Sequence, residues 1–88
     1  MRDVSASDGL VNVRLFAAAK AAAGTGELAL HAGSLASITE QLTARYAALA
    51  TVLPGCSFLV DGAQANAEAS TLIAAGATVD VLPPFAGG

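Results

Sequence analysis

Two short segments in which apolar and polar residues alternate, near opposite ends of the chain, constrain its fold more than any other feature. The segments cover residues 10–16 and 78–82, and their period of two predicts two half-buried β-strands. The residues predicted to face inward are Val11, Val13, Leu15, Val79 and Val81. The connection between the segments is long and contains a predicted helix, as a parallel crossover requires. We therefore expect the first and last strands to be parallel neighbours at the centre of one sheet.

The main helix is predicted to begin after Ser34, which is a favourable N-cap residue. Apolar residues then recur with the helical period and form one stripe, namely Leu35, Ile38, Leu42, Tyr46 and Leu49. This stripe predicts a single helix that packs on the inward face of the sheet and ends before Leu53-Pro54-Gly55. The residues expected to face solvent are Glu40, Gln41 and Arg45.

Shorter elements are predicted on both sides of this helix. The alanine-rich run Ala17–Ala23 has high helix propensity and is followed by Gly24, a typical helix stop. Strands are predicted over 27–31 and 57–60, and Asp61-Gly62 is a common hairpin turn. A short strand around Gln64 and Ala65 and a turn that packs Leu72 and Ile73 complete the expected elements.

The order strand, strand, helix, strand, short strand, strand predicts an α+β protein with the ubiquitin-like β-grasp fold. In this fold a mixed sheet packs on one main helix. We expect a disordered leader over 1–9, because these residues are polar and aperiodic, a β-grasp domain over 10–82 and an extended C-terminal tail over 83–88. A chain of 88 residues is long enough for one domain with a modest core.

The last six residues suggest a function. Pro83 and Pro84 restrict the backbone and predict a stiff, extended start to the tail. Gly87 and Gly88 have no Cβ, so the terminal carboxylate of Gly88 would fit a channel too narrow for ordinary side chains. The residues predicted to thread into a partner's active site ahead of Gly88 are Pro83, Pro84, Phe85, Ala86 and Gly87. The alternative is a flexible, glycine-rich chain end without a function.

An apolar patch is predicted where the tail leaves the sheet. Phe16 and Leu82 both fall on the outward face of their strands, and they lie side by side if those strands are neighbours. Phe85 would join them at the root of the tail. A contiguous exposed apolar patch is typical of a protein-binding site, so these three residues are the candidate partner contacts.

Composition argues against several other functions. A net charge of −3 and only four basic residues argue against nucleic-acid binding. No apolar run approaches the roughly 20 residues that span a bilayer, and no secretory signal is present, so we expect a cytoplasmic protein without a membrane association. Cys56 and His31 are the only cysteine and histidine, which leaves too few ligands for a metal site. Cys56 is predicted to be a buried thiol.

Several segments together resemble a known family. They are Val-Asn-Val-Arg-Leu-Phe-Ala at 11–17, Ala-Gly at 23–24, the helix from Ser34, Val60-Asp61-Gly62, the segment at Leu72, Gly76, and Val79 through Gly88. Over roughly residues 10–88 the chain resembles the MoaD/ThiS sulfur-carrier family. The ending Pro-Pro-x-x-Gly-Gly is most similar to the small, sulfur-carrying subunit of molybdopterin synthase. Departures from the family pattern are Ala77-Thr78 in place of Asp-Glu, Asp61 in place of Asn, and Lys20 in place of Arg.

The resemblance implies a sulfur carrier that is not catalytic alone. An adenylating, E1-like activating enzyme would use ATP to activate the Gly88 carboxylate, and a sulfur donor protein would convert the adenylate to a thiocarboxylate. The large catalytic subunit of molybdopterin synthase would then receive the tail and pass its sulfur to a pyranopterin precursor of the molybdenum cofactor. The chain itself would bind no cofactor.

Three alternatives remain open at this point. A carrier with the same fold could supply sulfur to thiamine or cysteine biosynthesis. The Gly88 carboxylate could instead be joined to lysines, as in a ubiquitin-like modifier. The domain could also be a β-grasp interaction module whose terminus never reacts.

Overall fold

The computed structural model describes residues 9–64 and 71–84. In chain order the elements are β1 (Leu10–Leu15), α1 (Ala17–Ala23), β2 (Glu27–His31), β3 (Gly33–Ser34), α2 (Leu35–Arg45), α3 (Leu49–Val52), a 3₁₀ helix (Leu53–Gly55), β4 (Ser57–Val60), β5 (Ala63–Gln64), β6 (Leu72–Ile73) and β7 (Thr78–Leu82). The predicted leader, apart from Gly9, lies outside the described residues. So do Ala65 and the tail residues Phe85, Ala86, Gly87 and Gly88.

The first and last strands are parallel neighbours at the centre of the main sheet, as predicted. The strand order is β2-β1-β7-β4-β5, and every pairing except β1 with β7 is antiparallel. In the parallel pair, Val13 lies opposite Val79 and Leu15 opposite Val81. The main helix lies in the crossover that connects these two strands, which is the arrangement that parallel pairing requires.

The alternating pattern correctly identifies the core face of the sheet. The side chains of Val11, Val13, Leu15, Val79 and Val81 are all buried, together with Leu35, Ile38 and Leu42 of α2. Ser34 caps α2 as predicted, because its side-chain oxygen accepts a hydrogen bond of 3.1 Å from the backbone N–H of Ser37. A mixed sheet that grips one main helix is the ubiquitin-like β-grasp fold, which confirms the predicted fold class.

The prediction of a single helix through Leu49 is wrong. Helix α2 ends at Arg45, and Tyr46 leaves the helical conformation with φ −133° and ψ 94°. Leu49 begins the separate helix α3, yet its side chain is fully buried. A periodic apolar stripe predicts which residues are buried in the core. It does not predict a turn that interrupts the helix between two buried residues of the stripe.

The predicted packing of Leu72 is also wrong. Leu72 and Ile73 form β6, which pairs with β3 in a second, two-stranded sheet, where Gly33 lies opposite Ile73. Successive side chains of a strand point to opposite faces, so only one of the two residues can face the core. Ile73 is buried, whereas Leu72 is 80% exposed.

Two polar side chains form hydrogen bonds with backbone groups of β2, the edge strand of the main sheet. Gln41 accepts a hydrogen bond of 2.8 Å from the His31 N–H and donates one of 3.0 Å to the His31 carbonyl. At the other end of the strand, the Thr25 hydroxyl donates to the Glu27 carbonyl and accepts from the Glu27 N–H. Gln41, which the helical pattern assigns to solvent, is therefore half-buried against the strand edge.

Candidate partner-binding face and tail root

The parallel pairing of β1 and β7 brings Phe16 and Leu82 together on the face of the sheet that the helices leave uncovered. The Phe16 N–H donates a hydrogen bond of 3.3 Å to the Val81 carbonyl, which continues the ladder one residue beyond β1. Phe16 is 37% exposed and Leu82 is half-buried. The third member of the predicted patch, Phe85, lies outside the described residues, so its contacts remain a prediction.

An ion pair lies at the centre of this face. The Arg14 Nε–H donates to Asp80 Oδ1 at 2.6 Å, and an Nη2 hydrogen is donated to Oδ2 at 2.9 Å. Arg14 and Asp80 are opposite each other in the β1–β7 register, so the two strands fix this bidentate geometry. The Asp80 residue is only 7% exposed, although the alternation correctly places it on the outward face.

The hydrogen bond from Arg14 lowers the pKa of the Asp80 carboxyl group below its usual value. Desolvation by the surrounding residues opposes this effect, so the arginine contact is the stronger influence. The same contact raises the pKa of the Arg14 guanidinium. Both groups are thus held in their charged forms on the sheet surface.

Two further contacts order this face. The guanidinium carbon of Arg14 lies 5.7 Å from the centre of the Phe16 ring, within the range of a cation–π interaction. Asn12 donates a hydrogen bond of 2.8 Å from Nδ2 to Glu27 Oε2 across β1 and β2. These contacts hold the polar side chains along the sheet and leave the Phe16 ring at its end.

Leu59 of β4 is a member of this face that the sequence pattern did not identify. It lies opposite Asp80 in the antiparallel β4–β7 register and is half-buried. Its neighbour Phe58 points the other way, into the core. We refer to the surface formed by Phe16, Leu59, Leu82, Arg14 and Asp80 as the open face. The pairing that adds Leu59 to the open face is tertiary, so no short-range pattern could have revealed it.

The tail begins at the end of β7, beside the 3₁₀ helix. The last residue pair between β4 and β7 is Ser57 with Leu82, and Pro83 is half-buried. Pro84 is exposed, and its ring lies close to Gly55: a Cβ built on Gly55 would be 3.3 Å from Pro84 Cγ. The described part of the tail therefore leaves along the Gly55 side of the sheet.

A cleft of about 440 Å³ lies on the helix side of β4, away from the open face. Its lining residues are Thr39, Glu40, Thr43, Ala50, Leu53, Pro54, Cys56 and Phe58. Cys56, predicted to be a buried thiol, is only half-buried at the edge of the core. Its thiol donates to the Val52 carbonyl at 3.3 Å, and partial burial raises the pKa of this thiol. A thiol with a raised pKa carries little thiolate at neutral pH, so Cys56 is a poor nucleophile.

Other candidate chemistry has little support within residues 9–64 and 71–84. No group of three or more His, Cys, Asp or Glu side chains in these ranges could hold a metal ion. His31 is exposed at the end of β2, and its backbone groups bond to Gln41. None of the helices described is long and apolar enough to cross a membrane.

Comparison with known proteins identifies the family. A model of the ThiS family matches residues 13–88, which include the second half of β1, all of β7 and the terminal Gly87-Gly88. The chain belongs to the ThiS family. This match confirms the resemblance to MoaD/ThiS sulfur carriers seen in the strand and tail motifs. No significant match occurs among curated protein sequences.

Solved structures with a similar fold match most of this chain. Small archaeal modifier protein 1 (SAMP1) from Methanosarcina acetivorans is 28% identical, with a TM-score of 0.80 over 91% of this chain and 97% of that one. A putative molybdopterin converting factor subunit 1 from Pyrococcus furiosus is 18% identical, with a TM-score of 0.76 over 86% and 98% of the two chains. A complex of subunits 1 and 2 of molybdopterin-converting factor from Helicobacter pylori contains a chain that is 20% identical, with a TM-score of 0.67 over 90% and 99%.

Proposed function

We propose that this protein carries sulfur as a thiocarboxylate on Gly88 and acts as the small subunit of molybdopterin synthase. The observation that carries this proposal is the family match through Gly88, on a domain whose open face adjoins the root of the tail. A carrier needs both features, because the tail must react while the domain is held by its partner. The resemblance of the Pro-Pro-x-x-Gly-Gly ending to the molybdopterin branch supports the pathway.

The chemistry follows from the poor reactivity of a carboxylate. One oxygen of the Gly88 carboxylate attacks the α-phosphorus of ATP on an E1-like activating enzyme, and pyrophosphate leaves. A sulfur donor protein then supplies a sulfur nucleophile that attacks the acyl carbon, and AMP leaves with its bonding electrons. A thiol of the donor protein then attacks the donor's side of the bond to this sulfur, so that a disulfide forms on the donor and a thiocarboxylate, in which sulfur replaces one oxygen, is released. ATP is consumed by the activating enzyme, so this chain needs no bound cofactor for these steps.

The open face is the proposed contact with the large subunit. Phe16, Leu59 and Leu82 supply apolar area around the Arg14–Asp80 pair, and aromatic and arginine side chains are enriched in protein interfaces. The Helicobacter pylori neighbour is a complex of subunits 1 and 2 of molybdopterin-converting factor, which supports a partner of this kind. Docking here would bring the tail root to the partner surface, where Pro83 and Pro84 keep the tail extended.

Intact mass spectrometry provides the first test. The protein, with its own C-terminus, is incubated with ATP, sulfide and the adenylating enzyme from the same cell, and we expect one oxygen to be replaced by sulfur. A variant without Gly88 is the matched control and should keep its mass and its melting temperature. If the wild-type mass never changes with a competent enzyme, the sulfur-carrier proposal fails.

A second incubation tests the pathway. The thiocarboxylated protein is mixed with the large subunit and the cyclic pyranopterin precursor, and we expect a dithiolene product and loss of sulfur from Gly88. If the sulfur stays on Gly88 in this mixture and is lost in a parallel incubation with thiazole-forming or cysteine-forming enzymes and their substrates, the carrier chemistry is retained and the molybdopterin assignment is rejected.

A second candidate function is supported by one comparison. SAMP1 from Methanosarcina acetivorans, a small archaeal modifier protein by name, is 28% identical over nearly the whole of both chains. In a ubiquitin-like modifier the activated Gly88 would form an amide bond with a lysine side chain of another protein. Peptide mass spectrometry of cell extracts would then find lysines that carry the C-terminal glycine residues of this chain.

A further inference from the structure

Gly55 and Pro84 make a close contact just beyond the last strand pair of the sheet. Strands β4 and β7 pair as far as Ser57 with Leu82, and the contact joins the residue two positions before Ser57 to the residue two positions after Leu82. A Cβ on Gly55 would lie 3.3 Å from Pro84 Cγ and 3.4 Å from Pro84 Cδ. The shorter distance is tighter than ordinary van der Waals contact, so any side chain at Gly55 would press on the proline ring.

The backbone conformation of Gly55 does not explain its lack of a side chain. The described glycines with positive φ are Gly9, Gly24, Gly62 and Gly76, and Gly55 is not among them. An alanine at this position would therefore meet no backbone strain. The close approach of Pro84 is the feature that glycine accommodates.

We propose that Gly55 is a positioning residue that seats the Pro84 ring and so sets the direction in which the tail leaves the domain. This inference rests on the proposed function, because a direction matters only for a tail whose end must reach an active site. Proline restricts φ at two successive positions, so a displacement of Pro84 is carried into the following residues. The four residues after Pro84 span at most ~13 Å when extended. A small rotation of the backbone at Pro84 therefore displaces Gly88 appreciably.

The consequence is a change in turnover and not in docking. Gly55 is outside the open face, so its substitution leaves Phe16 and Leu82 unchanged. A misplacement of about 1 Å from a remote change can lower a reaction rate by roughly 100-fold. We expect Gly55→Val to lower kcat for sulfur transfer with the large subunit by about tenfold or more with KM for this protein unchanged, and Gly55→Ala to have a smaller effect. Ala47→Val, which adds apolar volume at an exposed loop position, should leave both constants unchanged.

A double-mutant cycle separates positioning from a general loss of structure. Replacing Pro84 by Ala removes the ring that a Gly55 side chain would press on. The kcat effect of Gly55→Val should therefore shrink in the Pro84→Ala background. Equal effects of Gly55→Val in both backgrounds would overturn the proposal, as would a fall in kcat that tracks a lowered melting temperature.

Nuclear magnetic resonance tests the contact between Gly55 and Pro84 in the absence of any partner protein. The wild-type protein should show cross-relaxation between the Gly55 α-protons and the Pro84 ring protons, and Gly55→Ala should shift the Pro84 ring resonances with little change at Phe16. Absence of this cross-relaxation would overturn the proposed contact between Gly55 and Pro84, and with it the positioning role, even if Gly88 accepts sulfur. If the cross-relaxation is present and no adenylation occurs with any enzyme, the proposed function fails and the positioning role fails with it.

Discussion

Arg14 and Asp80 face each other across the only parallel strand pair among the described residues, and two hydrogen bonds of 2.6 and 2.9 Å join them. The Asp80 side chain is 10% exposed, whereas the Arg14 side chain is 49% exposed. The arginine therefore covers the carboxylate and presents its own remaining N–H groups to solvent. The pair joins the first and last strands on the surface that we propose as the docking site.

We predict that Arg14→Ala destabilises the domain, because the Asp80 carboxylate loses its two charge-assisted hydrogen bonds and the opposite charge beside it. The pKa of Asp80 should rise from its lowered value, and the melting temperature should fall. Thermal unfolding and a carboxyl titration by nuclear magnetic resonance would measure the two effects. Arg14→Lys is the matched control: it keeps the charge, loses the bidentate geometry and should fall between alanine and wild type. An unchanged Asp80 titration in Arg14→Ala would contradict the assigned cause.

Acid should remove the contribution of the same pair. Asp80 has a lowered pKa in the folded protein, so its ionised form stabilises the fold above the pKa of the unfolded chain, about 4. That contribution is lost as the pH falls through the folded-state pKa. Urea midpoints measured from neutral pH to about pH 2 should therefore fall more steeply for wild type than for Asp80→Asn. Parallel curves for the two proteins would show that Asp80 does not contribute to acid unfolding.

Apolar anchors of the open face should dominate partner affinity. We predict that Phe16→Ala or Leu82→Asp weakens binding to the large subunit by at least about tenfold, because a few anchor side chains that the partner buries carry much of the binding energy of an interface. Leu59→Asp tests the residue that only the register reveals. Leu72→Asp is the control, because Leu72 is 80% exposed on the separate β3–β6 sheet. Calorimetric titration would measure all four. If the Phe16, Leu82 and Leu59 variants all bind with the affinity of the wild-type protein, the docking site lies elsewhere on the domain.

The sequence predicts the features that depend on local periodicity. Val13 and Val79 are buried because alternation places them on one face, and the long helical crossover predicts that their strands are parallel. The break after Arg45 is not predictable, because Leu49 keeps its place in the apolar stripe from a new helix. The exposure of Leu72 follows from pairing with β3, which is a long-range contact.

The candidate site shows the same division. Phe16 and Leu82 are identified by alternation together with the predicted parallel neighbours. The Arg14–Asp80 pair is predictable in the same way, because the two residues have opposite charges, face outward and lie at about the same position along the two strands. Leu59 and the Gly55–Pro84 contact depend on the registration of β4 against β7, which a single sequence does not specify.

Gln41 should protect the sheet from edge-to-edge association. Its side chain occupies both hydrogen-bonding groups of His31 on the outer edge of β2, and the sheet edge would otherwise be a template for another strand. We predict that Gln41→Ala lowers stability by about 1 kcal/mol and promotes concentration-dependent self-association, measured by sedimentation velocity. Gln41→Glu retains an acceptor for the His31 N–H and loses the donor to its carbonyl, so it should associate less than alanine. A Gln41→Ala protein that remains monomeric at all concentrations would show that Thr25 at the other end of β2 is enough to block pairing.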